Sequence, residues 1–268
     1  MARHLPDLHP AIQRHTGFDL ARSGVHNART IMAEELGLLL RAVPATTATL
    51  DDFKQAVLVD NCLGRKTYAS RAGTLRHLKA LYSLDYSFPL FRGLRYFWVR
   101  ANGNQSLVLL LCALTRDVFL RQVLPTVLET PIGELHPRER TEQAIVERCT
   151  GTLSVITLNS TAKNINSSFT QAGHFRGRSR KVRAKVSPTP ATTACAVYLA
   201  YLAGCRGLGL LDNIFVSAFD AVPSELSSCL EQAARRGYMS MSRLGDVLEV
   251  SFPELLTQAE VERIRGQN

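Results

Sequence analysis

The chain has 268 residues, 46% of them hydrophobic and 21% charged, with 17 glycines and 11 prolines. These are ordinary globular values that exclude a disordered or collagen-like chain, and the length suits one large domain or two smaller ones. The formal net charge is +9, which favours anionic partners and leaves the fold open.

The start, Met1 to Asp7, has no apolar stretch behind its basic residues, so no secretory signal is expected and the location implied is cytoplasmic. Apolar residues at helical spacing (Ile31, Leu36, Leu39) predict a helix from Ala28 to Arg41 that Pro44 ends. Thr49 is placed to cap the next helix, with Asp51 and Asp52 in its first turn, running to about Asp60. Asn61 to Gly64 breaks it. A further helix from about Ser70 to Tyr82 puts Leu75, Leu78, Leu81 and Tyr82 on one side and Arg76 and Lys79 on the other. Pro89 opens an aromatic helix to about Arg100, whose Phe91, Phe97 and Trp98 suit a core. Gly103 and Pro125 bracket a strongly apolar helix, in which the longest uncharged apolar run, Leu107 to Leu114, is far too short to cross a bilayer. Between Asn61 and Arg116 the bases include Arg65, Lys66, Arg71, Arg76 and Lys79, and the only acid is Asp85. These five bases form a first candidate nucleic-acid cluster.

Composition turns loop-like around Thr130 to Gly133 and Pro137, which predicts a helical N-terminal domain over 1–130 and a second domain over 131–268. The second half opens with a helix from about Arg138 to Cys149. From Arg148 to Leu211, 64 residues, no acid occurs, while nine bases do; outside that window 23 bases face 23 acids, so the whole excess charge sits there. Acid exclusion is what a phosphate-facing surface requires, because a carboxylate there repels the ligand.

Within the window, Ser160 as N-cap and Gly173 as stop frame a helix of about thirteen residues. Ala162, Ile165, Phe169 and Ala172 fall on its inner face; Ser160, Lys163, Asn164, Ser167, Thr170 and Gln171 fall on its outer one. The next residues alternate and predict a hairpin with Arg176, Arg183 and Lys185 on its outer face and Arg178, Arg180 and Lys181 at its tip. Pro188 and Pro190 precede an apolar helix from Ala191 to Cys205. A weaker echo of helix, glycine and hairpin follows over 224–252, with a turn at Gly245 and Asp246; its acids predict a structural role. The fold class expected is mainly α, with a winged-helix-like α+β C-terminal domain carrying small β-hairpins.

A helix, a glycine stop and a cationic hairpin are the ingredients of a winged helix-turn-helix, whose recognition helix enters the major groove. Asn164 and Gln171 are the types that address adenine in bidentate fashion, and Lys163 and the hairpin arginines suit phosphate or guanine. Phosphate-cradling loops, metalloprotease and nucleophile-elbow motifs are missing, the seven histidines are scattered, and the six cysteines form no CxxC pair. A non-enzymatic protein without cofactor, metal, membrane or small-molecule partner is the expectation. Duplex DNA is the preferred ligand. An RNA-binding or transcription-associated protein, or a subunit docking an acidic protein, are the alternatives.

The segment Asp60 to Thr67 (Asp-Asn-Cys-Leu-Gly-Arg-Lys-Thr), the basic helix after it and Phe88 to Leu94 (Phe-Pro-Leu-Phe-Arg-Gly-Leu) resemble the BrxA family of BREX, or bacteriophage exclusion, defence systems. So does the order of a helix opened by Ser160 and Thr161, Gly173, a small hairpin, a further helix and a last hairpin ending near Phe252. The likeness spans most of residues 28 to 255. It implies a mainly helical, non-enzymatic DNA-binding accessory protein acting beside other BREX components. The chain is longer than a typical member.

Overall fold

The computed structural model describes residues 8–22, 24–149, 153–244 and 247–265. Helix α1 spans Pro10–Thr16, and α2 spans Ala33–Ala42. The helix expected from Ala28 thus starts five residues later. Its would-be first turn is held in another shape, because the Ile31 amide donates to Ser168 Oγ (3.0 Å) and Met32 takes a left-handed conformation (φ 53°). Thr49 caps α3 (Leu50–Lys54), with the Asp52 carboxylate closing the capping box, and a π-helical turn, Gln55–Val59, continues it.

The Asp60 to Thr67 segment is the joint into α4 (Tyr68–Tyr82). Asn61 is left-handed, its Oδ1 accepts from the Arg65 amide (2.8 Å), and Thr67 caps the helix. Helix α5 spans Pro89–Trp98. The single apolar helix expected between Gly103 and Pro125 is two helices, α6 (Gln105–Ala113) and α7 (Val118–Leu128). Asp117 causes the break: its Oδ1 accepts from the Leu120 amide (3.0 Å) and starts a new helix there. Pro125 sits inside α7 rather than ending it.

Helix α8 is Arg138–Arg148 and α9 is Val155–Gln171. Two-residue strands β1 (Phe175–Arg176) and β2 (Val182–Arg183) follow, then α10 (Pro190–Leu202). A 3-10 turn (Gly207–Leu210), α11 (Ile214–Ser217), α12 (Pro223–Arg235), strands β3 (Ser240–Leu244) and β4 (Val247–Ser251) and α13 (Gln258–Arg265) complete the chain. The protein is mainly helical with two small antiparallel hairpins. The turn expected at Gly245 and Asp246 lies outside the described residues.

Helix α6 is the axis of the core. Every residue from Leu107 to Leu114 is buried, and α2, α4, α5, α9 and α10 pack around it, which is why it is apolar on all sides. Helix α10 is buried from Ala191 to Leu202 and crosses α5 at Gly93, where a side chain would overlap the Tyr198 ring. Tyr198 also donates its hydroxyl to Pro89 O (2.9 Å). Buried residues on both sides of position 130 therefore belong to one continuous core. None of the described helices is long and apolar enough to cross a membrane.

Candidate nucleic-acid interface

The acid-free window builds its surface on the β1–β2 hairpin, whose second strand is hydrogen-bonded on both edges. On one side it pairs with β1 in the register Phe175↔Arg183 and Arg176↔Val182. On the other, residues 133–136 run beside it through an isolated bridge: Leu135 bridges Val182, His136 N donates to Lys181 O (2.8 Å) and Arg183 N donates to Glu134 O (2.8 Å). Along the chain the order is helix α7, the bridging segment 133–136, helix α8, helix α9, hairpin, and β2 lies between that segment and β1.

Helix α9 begins earlier than the sequence reading places it. Ser154, not Ser160, caps it, accepting from the Thr157 amide (3.2 Å), and Ser160 instead donates back to Ile156 O. The inner face is as expected, with Ala162, Ile165, Phe169 and Ala172 all buried.

Two polar chains fix the rotation of α9. In one, Thr141 Oγ1 donates to Asn166 Oδ1 (2.8 Å) and also meets His136 Nε2 (3.0 Å), whose Nδ1 meets Thr130 Oγ1 (2.7 Å). Burial holds His136 down to about 4, with Arg140 and Arg183 adding repulsion, so it is neutral at pH 7. In the other, His26 bridges Asp117 Oδ2 (2.8 Å from Nδ1) and Ser168 Oγ (3.0 Å from Nε2). This connectivity matches the Asp-His-Ser order of a hydrolase triad. All three residues are, however, sealed at 0% exposure, and Ser168 Oγ already donates to Asn164 O (2.8 Å) while accepting from Ile31 N. The contacts bolt the 25–31 segment and α7 onto α9.

The outward surface of α9 faces the hairpin tip across an open groove of about 870 Å³. Lys163 and Ser167 line it from α9, Arg178, Ser179, Arg180 and Lys181 from the tip, and Leu135 to Glu139 from the floor and the start of α8. Glu139 is the one acid among these, and it lies 3.6 Å from Arg138. The tip is held open by Gly177 (φ 92°), where any Cβ would overlap the Arg180 carbonyl oxygen. Lys181 Nζ donates to Gly177 O (3.0 Å), and its partial burial lowers its pKa.

Of the residues expected to contact nucleic acid, Lys163, Ser167, Arg178, Arg180 and Lys181 come together in this groove, and Arg176 projects to solvent beside it. Others are placed differently. Arg183 is not on the outer face of the hairpin but buried at 1% exposure. Paired directly opposite the inward Phe175, it must share that face, and Asp220 neutralises it (2.6 Å). Lys185 is exposed but paired with Glu225 of α12 (3.3 Å). Asn164 donates from Nδ2 to His26 O (2.9 Å) and Gln171 from Nε2 to Thr30 Oγ1 (3.1 Å), so both are engaged with the N-terminal segment rather than free to read adenine.

The first cluster stands apart from the groove lining. Arg65 pairs with Glu35 (2.7 Å), Arg71 lies against the Tyr68 ring (5.9 Å), and Lys66, Arg76 and Lys79 are exposed on or before α4. The sequence reading missed Arg138 at the groove and the exposed pair Val155 and Ile156 at the start of α9, because it began the helix at Ser160. Among the described residues no group of three or more His, Cys, Asp or Glu side chains is arranged to hold a metal ion. No protein-family model matches the chain, and no curated protein matches it either.

Proposed function

We propose that this chain binds duplex DNA, without catalysing a reaction on it, through a winged-helix-like unit formed by α7, the bridging segment 133–136, α8, α9 and the β1–β2 hairpin. The observation that carries the reading is the groove in which Lys163 and Ser167 of α9 face Arg178, Arg180 and Lys181 of the hairpin tip. The order of elements supports it: a helix, a short bridging segment and two helices precede the hairpin, as in helix-turn-helix proteins with a wing, whose second helix lies in the major groove. Cations at the tip and on α9 would straddle one phosphate backbone, positioning the helix beside the bases. Together with the likeness of Asp60 to Thr67 and Phe88 to Leu94 to the BrxA family, this gives an accessory DNA-binding role in a BREX-type phage defence system.

The test is a titration of labelled duplex DNA at several salt concentrations, with the R178E/R180E/K181E variant alongside. A slope of log K on log[salt] steeper than about −4, reporting roughly five neutralised phosphates, and its collapse in the variant support the reading. Absence of binding near 100 mM salt, or an unchanged slope in a folded variant, overturns it. Competition with the same sequence as duplex RNA separates DNA from RNA as the ligand.

A further inference from the structure

Helix α9 carries a feature that phosphate binding leaves unused. Val155 and Ile156, its first two residues, are each 83% exposed. Exposing two adjacent β-branched aliphatic side chains to this degree is unfavourable in water and points to a contact surface. At 100° per residue, Ile156, Lys163 and Ser167 fall within about 40° of one another and Asn159 about 40° from Lys163, while Val155 lies beside Ile156, about 100° round the first turn. Ile156 therefore continues the line of Lys163 and Ser167 that faces the cationic tip, about two helical turns beyond Lys163 toward the N-terminus.

The surroundings choose the occupant. No acid occurs from Arg148 to Leu211, so the stretch of chain that carries the apolar pair is one suited to a polyanion. The apolar group that a polyanion of this kind offers is the C5-methyl of thymine, which lines the major groove and is read by aliphatic contact. Resting on the DNA-binding reading above, we infer that Val155 and Ile156 are a specificity element that packs on thymine methyl groups, so that the protein prefers sites with thymine under the start of α9. Lys163 and the hairpin tip hold the backbone on either side. Asn164, turned back to His26 O, takes no part in the selection.

Replacing thymine by deoxyuridine removes the methyl and leaves every hydrogen-bonding edge in place. Binding is measured by fluorescence anisotropy for a duplex of about 30 base pairs rich in A·T pairs and for the same duplex with all thymines replaced. One methyl buried against an aliphatic side chain is worth about fourfold in affinity, so engaging two gives roughly a fifteenfold preference for the thymine duplex. The V155S/I156S variant is expected to bind both duplexes equally, with the salt slope of the wild type. Tight binding of both duplexes by the wild type without preference overturns the thymine contact and leaves DNA binding standing. A preference that persists in V155S/I156S also overturns it. Failure of the wild type to bind either duplex overturns both. Circular dichroism melting of the variant controls for folding, and V155T, which keeps one methyl, is expected to fall between the two.

Discussion

Arg183 Nη2 lies 2.6 Å from Asp220 Oδ1, with the arginine side chain wholly buried and the carboxylate at 19% exposure. The same guanidinium donates from Nε to Val127 O (3.1 Å), and Asp220 Oδ2 accepts from the Val186 amide (2.8 Å). One ion pair thus fastens the hairpin to α7 and to the segment before α12. Removing one partner of a buried pair leaves the other uncompensated. R183A is expected to lose about 3 kcal/mol of stability in urea titration, whereas R178A, at an exposed tip position, leaves the urea midpoint unchanged and weakens DNA binding. A stable R183A with impaired binding would return Arg183 to the interface.

His136 and His174 give a pH dependence with a fixed sign. Burial, reinforced by Arg183, holds each down to about 4 from an ordinary 6.5, and His174 Nδ1 is buried with no partner to receive a proton's hydrogen bond. Their folded values lie below the unfolded ones, so between these limits the unfolded chain binds more protons. Stability is complete above about pH 6.5 and falls as the pH drops toward 4. Urea midpoints at pH 7.5 and pH 5 are expected to differ, and H136Q is expected to flatten the dependence. A flat profile in the wild type would show that these histidines titrate normally.

Gly177 tests the hairpin tip separately from the core. Its φ of 92° and the overlap of any Cβ with the Arg180 carbonyl oxygen make G177A costly by about 1–3 kcal/mol locally. The strain falls on an exposed turn, so thermal unfolding should shift by only a few degrees while DNA affinity drops several-fold. Equal affinity for G177A and wild type would mean that the tip geometry does not matter to binding.

Two neighbours on α9 should behave in opposite ways. K163A is expected to reduce the salt slope by about one, as loss of one phosphate contact does, without loss of stability. N164A removes the donor to His26 O (2.9 Å) and is expected to cost about 1 kcal/mol of stability while leaving the salt slope alone. Exchange of these two phenotypes would mean that α9 is rotated from its described position.

What the sequence revealed and what it hid divide along physical lines. Local signals were readable: Thr49 as a cap, the breaks at Asn61 to Gly64, the apolar inner face of α9 and the clustering of cations at 178–181. Features set by distant partners were not. Arg183 reads as an outward base until its register with Phe175 and its partner Asp220 are known, 37 residues away. Asn164 reads as a base-recognition residue until the backbone of His26, 138 residues earlier, claims it. The helix start was misplaced because Ser160 and Ser154 are equally good caps in isolation; the exposed Val155 and Ile156 gave no apolar periodicity to decide between them.

The burial of α6 on every side has a consequence for synthesis. Its cover includes α9 and α10, which end near residues 171 and 202, and the bolt from His26 closes only on Ser168, 142 residues later. At ribosomal speeds of about 5–20 residues per second, the greasy central helix emerges and waits roughly ten seconds for its lid. Throughout that interval the nascent chain is a client for holding chaperones, and the yield of folded protein will depend on translation rate and temperature more than its finished stability suggests.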